Sequence, residues 1–255
     1  MEKIPEKYQK RLMGLIPTER IVTWQIPRPP QSLLTELHRY EGLTPTLSDI
    51  LDSMGVVGAV PGSELQPVIA GKKIAGPAIT LKYVPERLTP AEAFHEKGKA
   101  KLAERDAYAL TEPGDVVVID GGGRAEISAM GGLSTLIAKK YALAGNIVDS
   151  GVRDVAEMRS LDYPVWSRGI TPITGKFRFE ALQINGPVVC CGVSVSPGDL
   201  VVADDTGVVF IPQKLINEVL KRAIEASKKE ETLTQAIQHG SSMEEIKKIL
   251  SPDKW

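Results

Sequence analysis

Helical and extended periodicities alternate along most of this 255-residue chain. Residues 1–31 read as an arm: Leu12, Met13, Leu15 and Ile16 form one short amphipathic stretch, and Pro27-Arg28-Pro29-Pro30 cannot continue a helix. Leu33, Leu34 and Leu37 predict a helix from Ser32 to near Gly42. Thr46-Leu47-Ser48-Asp49 reads as a capping-box variant that opens the next helix, with Ile50, Leu51 and Met54 on its apolar side and Gly55 past its end. Alternation from Ile74 to Val84 predicts a strand. Thr89-Pro90-Ala91-Glu92 then supplies an N-cap, a proline at N1 and an acid at N3.

Strand signals are denser in the second half. Val116–Ile119 is a continuous β-branched run, the pattern of a strand covered on both faces. A Gly-rich turn follows, then a helix over about 133–143 that stops at Gly145. Ile147-Val148 predicts a short strand and Asp154 to Leu161 a short helix. Three more strands are expected at Val188–Val195, Leu200–Ala203 and Val208–Ile211, separated by Pro-Gly-Asp and Asp-Thr-Gly turns. After Pro212, Ile216, Val219, Leu220, Ala223 and Ile224 hold helical spacing, and a last helix begins at Ser241. The pattern describes one α/β domain over about 32–212, with the arm before it and a helical extension over 213–255.

Charge narrows the function. Lys and Arg number 31 against 32 Asp and Glu, so the basic excess of a generic nucleic-acid or membrane-surface binder is missing. Trp24, Trp166 and Trp255 form no stacking series. No run reaches the length of a membrane span, and the start carries charges throughout, so a soluble cytoplasmic protein is expected. Cys190 and Cys191 are adjacent, without metal-ligand spacing, and read as small buried strand residues. The scattered His38, His95 and His239 form no zinc motif, and neither a nucleophile elbow nor a phosphate loop occurs.

Three places hold candidate chemistry. Asp120-Gly121-Gly122-Gly123 follows a strand but lacks the spacing of a dinucleotide or methyl-donor loop, so it reads as a tight turn. Met130-Gly131-Gly132-Leu133-Ser134 puts two glycines at a helix start. There, free N–H groups would receive an anion, or the glycines serve a turn needing positive φ. In Gly151-Val152-Arg153-Asp154, the carboxylate suits a hard divalent cation and the guanidinium an anionic substrate. Asp154 with Glu157 is equally a helix-capping pair. Asp204-Asp205 reads as a hairpin turn and Asp49 as an N3 helix residue.

The run from Gly114 to Pro212 resembles the aldolase/ribonuclease-regulator family, the RraA-like proteins. It does so through Pro-Gly-Asp-Val-Val-Val-Ile-Asp-Gly (113–121), Met-Gly-Gly-Leu (130–133), Gly-Val-Arg-Asp-Val (151–155), Pro-Val-Trp-Ser (164–167) and Pro-Gly-Asp-Leu-Val-Val-Ala-Asp-Asp-Thr-Gly-Val-Val (197–209). Thr46 to Leu51 and Gly76 to Thr80 resemble its N-terminal part. The family includes 4-hydroxy-4-methyl-2-oxoglutarate and 4-carboxy-4-hydroxy-2-oxoadipate aldolases, and many members carry a methyltransferase label. The resemblance implies an α/β fold of three-layer β/β/α swivelling type, with helical N- and C-terminal extensions.

It also implies a class II pyruvate aldolase. Asp154 would hold Mg²⁺ or Mn²⁺, Arg153 would contact the pyruvyl part, and Gly131, Gly132, Leu133 and Ser134 would offer N–H groups to its carboxylate. A small oxo-acid is then the partner, with neither nucleic acid nor membrane. The assembly would be a homotrimer or homohexamer with the site near a subunit interface. The tail after Pro212 is longer than such a core needs and is expected to cover a neighbour or to stabilise the oligomer. The aldolases often carry an acid where this chain has Gly132, so either the outer shell of the metal is thinner here, or Asp120, Glu126 or a neighbouring subunit's acid replaces it, or the substrate differs. The class alternative is a non-catalytic regulator of an RNA-degrading enzyme. Such regulators typically lose the acid that is Asp154 here.

Overall fold

The computed structural model describes residues 4–249 except 38, 41 and 97; His38 and Trp255 therefore lie outside the described residues. In chain order, the first helices are α1 (Glu6–Gln9), α2 (Gln31–Leu37) and α3 (Leu43–Ser53). Strands β1 (Ala59–Pro61), β2 (Gln66–Pro67) and β3 (Ile74–Pro85) lead to α4 (Pro90–His95) and α5 (Glu104–Ala109). There follow β4 (Val116–Met130), α6 (Gly132–Lys140), β5 (Gly145–Val152), α7 (Val155–Ser160) and β6 (Val165–Ile170). Strands β7 (Phe179–Ile184), β8 (Val188–Cys190), β9 (Val193–Val195), β10 (Leu200–Ala203) and β11 (Gly207–Ile211) precede α8 (Ile216–Gln238) and α9 (Met243–Ile249).

Strand β3 belongs to two sheets. Its first half, Ile74–Pro77, pairs antiparallel with β10, which continues into β11 and β1. From Ala78 onward it pairs parallel with β4, and β4–β5–β6 continue in parallel. Strand β7 takes the edge of β3 that β10 has left, across a bulge at Lys82/Tyr83.

Alternating side chains of β4 show how the layers form. Val117 and Ile119 face α5, α6, α7 and the arm in one apolar cluster. Val116 and Val118 face Phe210 and Val201 of the antiparallel sheet, together with the β8–β9 hairpin, in a second. The other face of that sheet (Leu200, Val202, Val209, Ile211) is covered by α2, α3 and α8 in a third. The expected β/β/α core is thus present, and the terminal helices add an outer layer to it. Covering both faces explains the unbroken apolar run at 116–119.

Several local expectations change. Helix α3 begins one turn early, at Leu43, because Asp204 caps it from 160 residues away: its carboxylate accepts from Thr44 Oγ1 at 2.7 Å. Pro45 then sits in the first turn, where no intrahelical N–H is needed. Asp49 is accordingly an exposed residue well inside the helix, not an N3 residue. Asp204-Asp205 does form the β10–β11 turn, and the Asp205 carboxylate also accepts from the Gly71 N–H at 2.9 Å.

The glycines at 121–123 do not close a turn after β4. They sit inside a long irregular strand, with Gly122 and Gly123 at φ +67° and +73° where the register with β5 shifts. Strand β5 runs through eight buried residues; only Ile147-Val148 announces it, because Asn146, Asp149 and Ser150 are polar yet buried. Val188–Val195 is a hairpin, turning at Cys191 (φ +49°) and Gly192 (φ +82°).

The arm is pinned rather than loose. The buried Asp106 carboxylate accepts the Met13, Leu15 and Ile16 N–H groups at 2.7, 2.6 and 3.2 Å. Arg28 binds Asp115 through two hydrogen bonds of 2.9 and 2.7 Å. Burial nonetheless pushes the Asp115 carboxyl above its ordinary value, although Arg28 pulls it down.

The start of the tail packs on the chain itself: Ile216, Val219, Leu220 and Ala223 are buried against its own sheet and α3. No helix among the described residues is long and apolar enough to cross a membrane. Leu220→Ala, at a fully buried position, is expected to lower the unfolding free energy by about 3 kcal/mol in urea titration. Truncation after Pro212 is expected to abolish soluble folded protein in expression trials, by stripping the outer face of β10 and β11.

Candidate active site

Adjacent parallel strands β4 and β5 end together, Met130 opposite Val152, so the two segments of interest leave the sheet side by side. Carboxyl ends of parallel strands are where open α/β sheets form crevices. Here the crevice is a cleft of about 900 Å³, with Gly131–Ser134 on one wall and Arg153, Asp154 and Glu157 on the other.

The strand ends are stitched by two hydrogen bonds. The Arg153 N–H donates to the Met130 carbonyl at 3.1 Å, and the Gly132 N–H donates to Asp154 Oδ2 at 2.9 Å. Asp154 occupies the left-handed region (φ +57°, ψ +39°), which an Asp tolerates better than most residues. In that position its carboxylate makes no bond to the start of α7. The capping-pair alternative therefore fails: Asp154 serves α6, not its own helix. Arg153 Nε lies 3.5 Å from Asp154 Oδ2, and both side chains are partly exposed to the cleft.

The glycine pair is explained by close approach and not by positive φ. Gly131 is extended (φ −145°) and Gly132 is helical. A Cβ at 131 would stand 2.6 Å from Asp154 Oδ2, and one at 132 would fall inside the Glu157 carboxylate. The first bond within α6 runs from the Thr135 N–H to the Gly131 carbonyl. The N–H groups of Gly132, Leu133 and Ser134 consequently have no helical acceptor. Asp154 takes the first; those of Leu133 and Ser134 remain as donors beside the positive end of the helix. The Leu133 side chain is 78% exposed at the rim.

The Ser134 side chain turns the other way. Its hydroxyl donates to buried Glu104 at 2.7 Å, and Tyr83 donates to the other oxygen of Glu104 at 3.2 Å. Burial, and then the neighbouring carboxylate, push the Tyr83 hydroxyl well above its ordinary value. Glu104, Arg105, Glu157, Lys99 and Lys176 also line the cleft. Sequence reasoning missed them as site residues. Glu157 alone carried a signal, three residues after Asp154, and it was absorbed into the capping reading.

Neither Asp120 nor Glu126 stands in for an acid at 132. Asp120 Oδ2 accepts from Val189 N–H at 3.2 Å and its Oδ1 from Gly122 N–H at 3.0 Å. Glu126 pairs with Arg124 at 2.8 Å. A second cluster, Asp149 with Cys190 and Cys191, brings three potential metal donors together. Its chemistry fits a structural role: Asp149 is bound by Arg168 and accepts the Cys191 N–H at 3.0 Å, which pins the β8–β9 hairpin onto β5. The Cys191 side chain, and then burial, hold the Cys190 thiol well above its ordinary value.

The chain is thus an α/β protein with a cleft at the carboxyl ends of its parallel strands, where a glycine-opened helix start faces an Arg-Asp pair. The RraA-like family, described as Aldolase/RraA, matches residues 44–210, and the chain belongs to it. It is 35% identical over 202 residues to the protein DlpA of Legionella pneumophila; the match covers 79% of this chain but only 31% of DlpA. A protein of Halalkalibacterium halodurans bearing the name "Putative 4-hydroxy-4-methyl-2-oxoglutarate aldolase" is 30% identical over 195 residues, 76% of this chain and 84% of that protein. The crystal structure of Streptomyces coelicolor RraAS2, described as an unusual member of the RNase ES inhibitor RraA protein family, aligns with TM-score 0.68 at 29% identity. The alignment covers 82% of this chain and 98% of that one. The fold is therefore RraA-like.

Ser134→Ala removes one donor from a buried carboxylate and is expected to cost about 2 kcal/mol in urea unfolding, while leaving the Leu133 and Ser134 N–H groups in place. Gly131→Ala is expected to push Asp154 off the Gly132 amide. Faster hydrogen exchange at that amide, with the global unfolding midpoint little changed, is the readout.

Proposed function

We propose that the chain is a divalent-metal-dependent aldolase that cleaves a 4-hydroxy-2-oxo di- or tricarboxylic acid to pyruvate and a second carbonyl product. Oxaloacetate decarboxylation would be a side activity, since it passes through the same enolate. The observation that carries this reading is the Arg153-Asp154 pair held against the open N–H groups of α6 within the cleft. The aldolase name of a 30%-identical relative supports the class.

The residues present fit a hard cation. Asp154 keeps an oxygen free of the Gly132 amide, faces solvent, and has a second carboxylate, Glu157, beside it. Mg²⁺ needs no more than one or two carboxylates with its waters. When bound, the ion would supply Lewis-acid polarisation of the 2-oxo group. The chain's own groups do the rest. The Leu133 and Ser134 amides bind the C1 carboxylate and fix the substrate's orientation. The Arg153 guanidinium stabilises the oxyanion as the C3–C4 bond breaks and its electron pair enters the enolate. The C4 hydroxyl proton leaves as the second carbonyl forms, and C3 takes a proton to give pyruvate. No Schiff-base lysine is required.

Exposed Leu136, Ile170 and Ile173 on the sheet's carboxyl-end side support an oligomer, homotrimer or homohexamer, that brings another subunit near the cleft. A second reading, a non-catalytic regulator of an RNA-degrading enzyme, is favoured by the likeness to RraAS2. Asp154 weighs against it.

Pyruvate release, followed by coupled lactate dehydrogenase with the two hydroxy-oxo acids and oxaloacetate, tests the proposal. Release is expected with Mg²⁺ or Mn²⁺, to vanish with EDTA and in Asp154→Ala, and to fall at least 100-fold in Arg153→Ala. Absence of both metal binding and release would move the assignment to the regulator.

A further inference from the structure

We infer that Cys190, Cys191 and Asp149 form a metal site of their own, separate from the cleft and built for a thiophilic divalent cation of the zinc class. The β8–β9 hairpin gives the first reason. Its two loop residues, Cys191 and Gly192, lie between the paired Cys190 and Val193, both at positive φ. A two-residue loop of that kind favours Asn-Gly or Asp-Gly, so cysteine is a poor backbone choice at 191. Pinning the hairpin does not require it either, because the bond to Asp149 Oδ2 comes from the Cys191 N–H, which almost any residue supplies. What cysteine alone adds is its sulfur, and that Sγ is turned onto Asp149 Oδ1 at 3.4 Å.

The donor set points to a soft ion. Two sulfurs and a carboxylate oxygen lie within 4.8 Å of one another, although the carboxylate comes from β5, 42 residues before Cys191. Zinc ligands at about 2.0–2.3 Å in a tetrahedron stand about 3.5–3.8 Å apart, so the contact between Cys191 and Asp149 already has nearly that span. Two thiolates favour zinc over Mg²⁺ or Mn²⁺. Together with Asp149 they exceed a divalent ion by one negative charge, and Arg168, bound to Asp149, offsets it. Asp120, beside Asp149 in register, is already engaged with Lys82 and the Val189 N–H and is not needed as a ligand. Cys190 is buried and Cys191 half-buried, which closes the site toward the core and leaves an opening for the ion and for a water as fourth ligand. The ion displaces the thiol protons as it binds, and it holds the hairpin on β5 through sulfur as well as through amides.

Titration of the reduced, full-length protein with Cd²⁺, read as the ultraviolet sulfur-to-metal charge-transfer band, tests the site without reference to turnover. The band is expected to saturate at an equimolar ion and to be displaced by Zn²⁺. Asp154→Ala is expected to keep it, which separates this site from the cleft. Cys191→Asn suits the left-handed turn and keeps the N–H that pins the hairpin. It is expected to lower the affinity by more than about 100-fold, beyond what loss of an outer partner of a metal does. Alkylation of Cys191 by iodoacetamide in the unaltered protein is a second readout, and Zn²⁺ is expected to slow it about tenfold or more by occupying the thiolate. No charge-transfer band in the unaltered protein, an equal band in Cys191→Asn, or an alkylation rate indifferent to Zn²⁺ would each overturn the assignment.

Discussion

The hydrogen bond from the Gly132 amide to Asp154 is the constraint around which the functional end of the molecule is arranged. It is short-range in space but joins segments 22 residues apart, and it forms only because β4 and β5 are parallel neighbours that end in step. Everything near it follows from how closely the Arg153, Asp154 and Glu157 side chains approach the start of α6. A residue with a Cβ at 131 or 132 would collide with the facing wall. Asp154 must adopt a left-handed backbone to aim across the gap, and its own helix consequently goes without a side-chain cap. The cost of that strained, uncapped start is borne by the packing beneath it, where Met158 and Val152 are fully buried.

Buried carboxylates organise the rest of the chain in the same manner. Asp106 gathers three amides of the arm, Asp120 and Asp149 hold the β8–β9 hairpin, and the half-buried Asp204 starts α3 while accepting the Thr206 N–H. Each accepts from backbone N–H groups that would otherwise be unsatisfied, which is why burying them is tolerable. They fix irregular segments to a regular sheet, a task apolar contacts perform with less directional precision.

This division explains what could be read beforehand. Apolar patterning revealed β3, the start of β4, β10, β11 and α8: the strands as nearly unbroken apolar runs, because both faces are covered, and α8 by its helical spacing. Arg153 and Asp154 were legible as a pair, and the helix start at 131–134 as an anion site, since both rest on local backbone physics. Less visible was whatever depends on a distant partner. Asp204 as the cap of α3, the polar residues of β5 and the turn at Cys191 all answer to groups far off in sequence. The reading of the glycine pair was incomplete for the same reason: no local signal separates a residue that needs positive φ from one that needs room.

The sharing of β3 between two sheets has a consequence for how the chain emerges during synthesis. Its first half finds its antiparallel neighbour only in β10, more than 120 residues later, and the outer face of that sheet is sealed only by α8 near the C-terminus. The parallel sheet pairs strands that follow one another closely, so it can assemble while the ribosome is still translating. The antiparallel one is a late, high-contact-order event. Until then an unpaired strand edge and the apolar faces of α2 and α3 stay open to other chains. That interval is when this protein is most exposed to aggregation and most dependent on chaperones.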